Sequence, residues 1–255
     1  MSPPSTPFAL PAAPAWQRTT GLRHVREAPL LTVQERAALL GHPWFAALAS
    51  DLRQDLLRHC SVRRHAHGAP VLTEPDAGAR LSAVVSGALR VSLRDAAAPA
   101  LEYLPPGRWF VDPALFGGRA PLHVLQAQGR TAVVGIAADQ LSLLLDRHRA
   151  LQPALLQLNH DRVAALFHVA EELASLPLAR RLANCLLRLC ADFGQAGDGG
   201  VRIALPLRQD ALAELIRVSR QRVNLQLKTL EAQGVLRVGR ELVVLDADAL
   251  RSRGT

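Results

Sequence analysis

The chain has 255 residues, an apolar content of 49% and a formal net charge of +8 at pH 7. That length accommodates two compact units, the apolar content excludes wholesale disorder, and the positive balance favours a polyanionic partner. Three scattered Cys exclude a disulfide framework and fit a reducing, cytoplasmic setting, and no uncharged apolar run approaches the roughly 20 residues of a membrane span.

In chain order, residues 1–20 hold five Pro and no basic start followed by an apolar stretch. They read as a disordered Pro-rich arm, not as a secretory signal. Residues 33–60 carry helical apolar spacing through Trp44, Phe45, Leu48, Leu52, Leu56 and Leu57, with Ser50 or Asp51 as the expected cap. From Ser61 to Ile136 the texture changes to short β-prone pieces, VRRHAH, AVVSGALRVSL, ALEYL, HVLQA and TAVVGI, parted by Gly and Pro at positions such as Gly87, Pro105-Pro106-Gly107 and Gly129. Many brief strands with regular turn signals predict a small antiparallel barrel or sandwich.

Helical spacing resumes at Asp139, and Leu151 to Leu176 predicts one long helix with Pro153 in its first turn. Leu156, Asn159, Val163, Leu166, Ala170 and Leu173 recur at alternating steps of three and four, as a coiled-coil seam does. A second stripe of Leu151, Leu155, Leu158, Ala165 and Val169 is expected to cover the β unit while the first meets the same helix of a second subunit. Leu176-Pro177 ends the helix, and another helix, ARRLANCLLRLCADFG, closes near Gly194 before a loop at GDGG.

The segment from Arg208 to Arg240, RQDALAELIRVSRQRVNLQLKTLEAQGVLRVGR, holds seven Arg or Lys against three Asp or Glu, a formal +4. Leu212, Leu215 and Ile216 share one helical face, with Asp210 and Glu214 expected in water. Arg217 and Val218 form a turn, and Ser219 is the expected N-cap of a second helix. Val223, Leu227 and Leu230 turn that helix's inner face to a core, leaving Arg220, Gln221 and Asn224 on the outer face near its start. Arg can donate two bonds to guanine, and Gln or Asn can pair with adenine, so these three are the expected base readers. Val235 to Val238 and Leu242 to Val244 predict a two-stranded wing joined at Gly239-Arg240. Arg208, Ser219, Arg222, Arg237 and Arg240 are the expected phosphate contacts.

The order of β unit, long helix and carboxy-terminal winged helix-turn-helix resembles the Crp/Fnr family of bacterial transcription regulators over about residues 43–251. VSRQRVNLQLKTLEAQGVLRV is the most specific piece, followed by LARRLANCLLRL and LSAVVSGALRVSL. The resemblance implies an α+β fold: an antiparallel, jelly-roll-like β-roll, a long dimerisation helix and a winged helix-turn-helix. It implies these units: 1–20 arm, 21–150 amino-terminal helices and cyclic-nucleotide-binding-like sensor roll, 151–176 dimerisation helix, 177–255 DNA-binding unit. It further implies a homodimer on a pseudo-palindromic operator, acting on RNA polymerase, with Arg220 at the family's guanine-reading position. Gln221 replaces the usual Glu, Leu225 replaces a second base-reading Arg, and Arg217 stands where a turn Gly is common. That last departure costs on the order of 1 kcal/mol if the position needs positive φ.

In cyclic-AMP-binding members a Phe-Gly-Glu segment and an Arg-Ser pair hold the ribose and phosphate. The matching residues are Phe110-Val111-Asp112 and Pro121-Leu122, and the long helix places Leu166 and Phe167 where a Thr-Ser pair would meet adenine. Every polar anchor is altered, so cyclic AMP is not the expected effector. Trp109, Phe110, Leu166 and Phe167 are the candidate lining of an apolar effector pocket. An iron-sulfur cluster needs four Cys ligands, whereas Cys60, Cys185 and Cys190 read as core thiols. His65 and His67 point to one side of a strand, near His59 and Cys60, and offer the alternative of a metal or haem site; otherwise no metal and no cofactor are expected. The reading is a sequence-specific DNA-binding regulator. Its alternative is a small-molecule or haem sensor whose main output is a protein partner, and no catalytic constellation suggests an enzyme.

Overall fold

The computed structural model describes residues 31–71, 80–93, 97–112, 123–197 and 199–254. The Pro-rich arm, Gly117-Gly118 and Pro121-Leu122 lie outside them. Three helices open the described chain: α1 (Val33–Gly41), α2 (Pro43–Ala46) and α3 (Ser50–His59). A capping box starts α1, where the Thr32 amide donates to Glu35 Oε2 at 2.9 Å and the Glu35 amide donates to Thr32 Oγ1 at 3.2 Å. The cap expected for α3 is absent: Ala49 takes that position without a side-chain bond, and Asp51 lies in the first turn.

The strands are β1 (Ser61–His65), β2 (Pro70–Val71), β3 (Arg80–Leu93), β4 (Ala100–Leu104), β5 (Trp109–Val111) and β6 (His123–Ala137). They pair antiparallel in the order β1-β6-β3-β4, with β2 on β6 and β5 on β3. HVLQA and TAVVGI, expected as two strands, are one. Gly129 does not end β6, because β3 follows it along its whole length and shifts register around Ser86. Gly87 makes that bend possible: at φ +73 it sits where a Cβ would lie 2.4 Å from the Arg130 carbonyl oxygen.

Alternation along the strands builds two cores. Leu81, Ala83, Val85, Trp109, Val134 and Ile136 pack with the opening helices, while Val84, Leu89, Val91, Leu104, Phe110 and Val133 fill the interior of the roll. α4 (Ala138–Arg147) leads into α5 (Leu151–Ser175), the long helix, with Pro153 in its first turn. Leu151, Leu155 and Leu158 join the first core, and the Trp44 indole donates to the Ala154 carbonyl at 2.7 Å. The inward stripe ends there. Ala165 is exposed, in the lining of an open cleft between α5 and the roll, and Val169 is only half-buried.

Glu35 is buried yet receives Arg64 at 2.6 and 3.1 Å and the Ser86 hydroxyl at 3.2 Å. The Arg64 bonds outweigh burial and hold its pKa at about 2. His42 moves for the opposite reason: burial first, then the Arg108 charge, push it down to about 4. Both folded pKa values lie below the unfolded ones, so each contribution to stability is complete above the unfolded pKa and is lost as pH falls toward the folded value. The His42 contribution should therefore decline between pH 6.5 and 4, and the Glu35 contribution only between 4.5 and 2. Denaturant unfolding at pH 7 and pH 4.5 checks this: His42→Asn should flatten the decline, and equal declines in variant and parent would refute the assignment.

The carboxy-terminal unit comprises α6 (Leu178–Phe193), β7 (Gly194–Gly197), β8 (Gly200–Ile203), α7 (Gln209–Ile216), α8 (Arg220–Ala232), β9 (Leu236–Val238), β10 (Leu242–Val244) and α9 (Ala247–Gly254). The expected two-stranded wing is half of a four-stranded sheet in the order β7-β8-β10-β9, in which Gly197 at the end of β7 pairs with Gly200 at the start of β8; Asp198 of the GDGG loop lies outside the described residues. Leu182, Leu186, Leu212, Ile216, Val223, Leu227 and Leu250 form its core, which also takes in Ala88, Ala100 and Tyr103 of the roll. Glu172, buried near the end of α5, accepts from Arg188 at 2.6 Å and Asn184 at 3.0 Å, tying the long helix to α6. No described helix is long and apolar enough to cross a membrane.

Candidate nucleic-acid interface

α7 and α8 are set at their angle by a turn of unusual cost. Arg217 is the one non-Gly residue at positive φ among the described residues, at φ 56 and ψ 51, a conformation worth roughly 1–2 kcal/mol of strain for a side-chain-bearing residue. The Val218 amide closes the turn by donating to the Ala213 carbonyl at 3.1 Å. Ser219 then caps α8, its hydroxyl oxygen accepting from the Arg222 amide at 3.4 Å. Val223, Leu227 and Leu230 are buried, while Arg220, Gln221, Arg222 and Leu225 stand on the exposed side.

Two of the three expected base readers are tethered to the first turn of α7. Arg220 reaches Asp210 at 3.7 Å across two exposed side chains, a surface pair worth little and easily exchanged for a stronger acceptor. The Gln209 amide nitrogen donates to Asn224 Oδ1 at 3.3 Å, which leaves Asn224 half-buried, whereas Gln221 is exposed. Gln209 did not stand out in the sequence and Asp210 is expected there only as a solvated residue, although both occupy the first turn of α7. Arg208, Arg220 and Arg240 surround one groove of about 340 Å³ between α7, α8 and the wing. Arg222 and Arg237 are exposed outside it. The wing is fixed to α8 by the Val238 amide, which donates to Glu231 at 2.8 Å.

Glu214, expected in water, is not free. It accepts from Arg90 of β3 at 3.0 Å and from the Ala100 amide at 2.8 Å, so the first helix of the pair is pinned to the roll. Gln128 adds a bond to the Pro206 carbonyl at 3.2 Å. Glu214→Gln should weaken this docking by roughly 1–2 kcal/mol, because Arg90 keeps its half-buried charge and loses its counter-ion. Faster hydrogen exchange at the Ala100 amide is the readout; unchanged protection there would deny Glu214 that role.

The expected seam on α5 presents apolar side chains to solvent. Leu156 is 65% exposed, Val163 49% and Leu166 41%, Ala170 is exposed, and Asn159 and Leu173 are half-buried; Phe167, outside the expected seam but next to Leu166, is 72% exposed. The expected effector lining is not brought together. Trp109 is 1% exposed and stacks on Phe45 at 5.0 Å, Phe110 is 3% exposed in the other core, and Leu166 and Phe167 face outward. Adjacent strand residues point to opposite sides, so Trp109 and Phe110 cannot share a cavity wall. Val111 and Asp112 are buried as well.

β1 stops at His65, which puts His67 in the following turn, where the Gly129 amide donates to its Nδ1 at 3.0 Å. His59 Nδ1 is bonded to the Asp55 carbonyl at 2.7 Å, and the Cys60 thiol donates to the Leu57 carbonyl at 3.1 Å. Among the described residues, no three His, Cys, Asp or Glu side chains converge as a metal site would require. Burial pushes Cys60 up to about 11 and Cys185 up to about 12, which suits packing more than redox chemistry.

Residues 180–253 match the model of the Crp-like helix-turn-helix domain. Over 189 residues the chain is 24% identical to the CRP-like cAMP-activated global transcriptional regulator of Mycobacterium tuberculosis, covering 73% of this chain and 84% of the relative. The fold is shared with FixK2 of Bradyrhizobium japonicum, at TM-score 0.66 and 18% identity over 77% of this chain and 98% of that one. It is shared also with a CRP/FNR-family transcriptional regulator of Thermus thermophilus, at TM-score 0.62 and 23% identity over 76% and 97%. Residues 180–253 are thus a Crp-like helix-turn-helix domain, and with a β-roll and a long helix before it the chain is similar throughout to transcription regulators of the Crp/Fnr type.

Proposed function

We propose that the chain acts in the cytoplasm as a homodimer that recognises a pseudo-palindromic operator and works on RNA polymerase. In this reading residues 21–150 form the sensor unit, 151–176 the dimerisation helix and 177–255 the DNA-binding unit. The observation that carries it is the exposed start of α8, where a Ser-capped helix buries Val223, Leu227 and Leu230 and turns Arg220, Gln221 and Arg222 outward. Arg220, Gln221 and Asn224 read bases, with Asp210 and Gln209 holding Arg220 and Asn224 until DNA replaces them. Arg208, Ser219, Arg222, Arg237 and Arg240 hold phosphates. The second copy covers Leu156, Val163, Leu166 and Phe167, whose seam continues through Asn159, Ala170 and Leu173.

Cyclic AMP is not the signal in this reading, since Val111 and Leu122, which stand at the matching positions, carry no side-chain hydrogen-bonding group. Selection from random duplexes tests the operator. Two related half-sites about one helical turn apart are expected, each with a guanine that disappears from the selection with Arg220→Ala. A pool that stays random would refute the reading.

A further inference from the structure

Between the opening helices, the turn from β4 to β5, the first half of α5 and the end of α6 lies a cleft of about 930 Å³. That is ample for a drug-sized molecule. Its walls are mainly apolar, with Trp44, Leu48, Leu52, Trp109 and Leu158 among them. Two residues of this lining carry buried polar atoms that have no hydrogen-bond partner among the described residues: the Trp109 indole nitrogen and His42 Nδ1. Neighbouring Trp44 has its indole satisfied by the Ala154 carbonyl. A buried donor without an acceptor bears its whole desolvation penalty, so the Trp109 N–H calls for an acceptor from outside the chain.

Arg108 adds charge at the same place. The turn before it is pressed onto α1, so that a Cβ on Gly107 would lie 2.6 Å from the Ala38 carbonyl oxygen and 4.0 Å from the His42 Cβ. The other charges of the lining are better engaged: Glu102 accepts from Arg162 at 2.6 Å, and Asp161 accepts from Gln157 at 2.7 Å. Arg108, by contrast, meets Asp192 of α6 only at 3.7 Å, between two part-exposed side chains, and burial raises the Asp192 pKa.

We propose that this cleft binds a planar aromatic monocarboxylate, its rings against Trp44 and Trp109 and its carboxylate accepting from Arg108 and the Trp109 N–H. The site is separate from the interior of the roll, because Phe110 faces that interior and Trp109 faces the cleft. Since Asp192 belongs to the DNA-binding unit, an occupant takes Arg108 away from it and loosens one tie between roll and α6. That consequence rests on the regulator reading; the binding does not.

Calorimetric titration of the full chain without DNA, using 1-naphthoate and the uncharged 1-naphthylmethanol, tests the site. One naphthoate per chain is expected, bound about tenfold or more tighter than the alcohol. Arg108→Ala should abolish that preference, and Trp109→Phe, which keeps a ring but removes the N–H, should weaken naphthoate severalfold. Asp192→Asn should tighten it, because the competing carboxylate is gone; opposite responses at Arg108 and Asp192 are not what a general loss of packing produces. Absence of naphthoate binding at millimolar concentration, equal affinity for acid and alcohol, or indifference to Arg108→Ala in a variant with an unchanged melting temperature would overturn the proposal. Any of these with operator binding intact would leave the regulator reading standing.

Discussion

Val163→Lys with Phe167→Lys should convert the protein from dimer to monomer and lower its operator affinity by about a hundredfold or more, because the second half-site is no longer engaged at high effective concentration. Both side chains are at least half as exposed as they can be, or nearly so, at 49% and 72%. The substitutions therefore remove no packing within one chain, and the melting temperature of the monomer fold should hold. In the dimer they would set four ammonium groups into one apolar seam, and burying unpaired charge costs several kcal/mol per ion after relaxation. Sedimentation and an operator titration read the two effects together. A variant that remains dimeric would show that subunits meet elsewhere.

Arg220→Ala should cost roughly 1–3 kcal/mol of discrimination at one guanine of each half-site, about five- to 150-fold per site, while leaving affinity for random duplex nearly unchanged. Arg240→Ala should do the opposite, weakening all sequences alike and lowering the salt slope by about one. The contrast follows from placement. Arg220 projects from the first turn of α8 beside Asp210, whereas Arg240 sits at the tip of the wing on the far side of their common groove. Equal loss on operator and random DNA for Arg220→Ala would move that residue to the phosphate class.

The elements legible in the sequence are those whose cause is local. Ser219 caps α8 because a hydroxyl three residues before Arg222 can reach its amide, and the buried face of Val223, Leu227 and Leu230 follows from helical spacing alone. The long helix and its break at Leu176-Pro177 are legible for similar reasons. What escaped depends on distant partners. β7 and β8 are Gly-rich and weakly apolar, and they are strands only because β10 supplies an edge for β8. β6 runs through Gly129 because β3 runs beside it. Glu214 looks like a solvated helix residue until the roll brings Arg90 and Ala100 to it across more than a hundred residues of sequence. The grouping of Trp109 with Phe110 failed because adjacency along a strand means opposite faces, and Leu166 and Phe167 lie beyond the reach of the core. Arg217 is the instructive exception: the sequence marks its cost, and the left-handed turn confirms the conformation that incurs it.

The central claim is that α8 enters a duplex and distinguishes one base sequence from another. Anisotropy titration of the unmodified protein with its selected operator and with a scrambled duplex of equal length, from low to physiological salt, tests it most directly. The operator should bind about a thousandfold or more tighter at physiological salt, with both affinities falling as salt rises. Equal affinities across that range would contradict the claim.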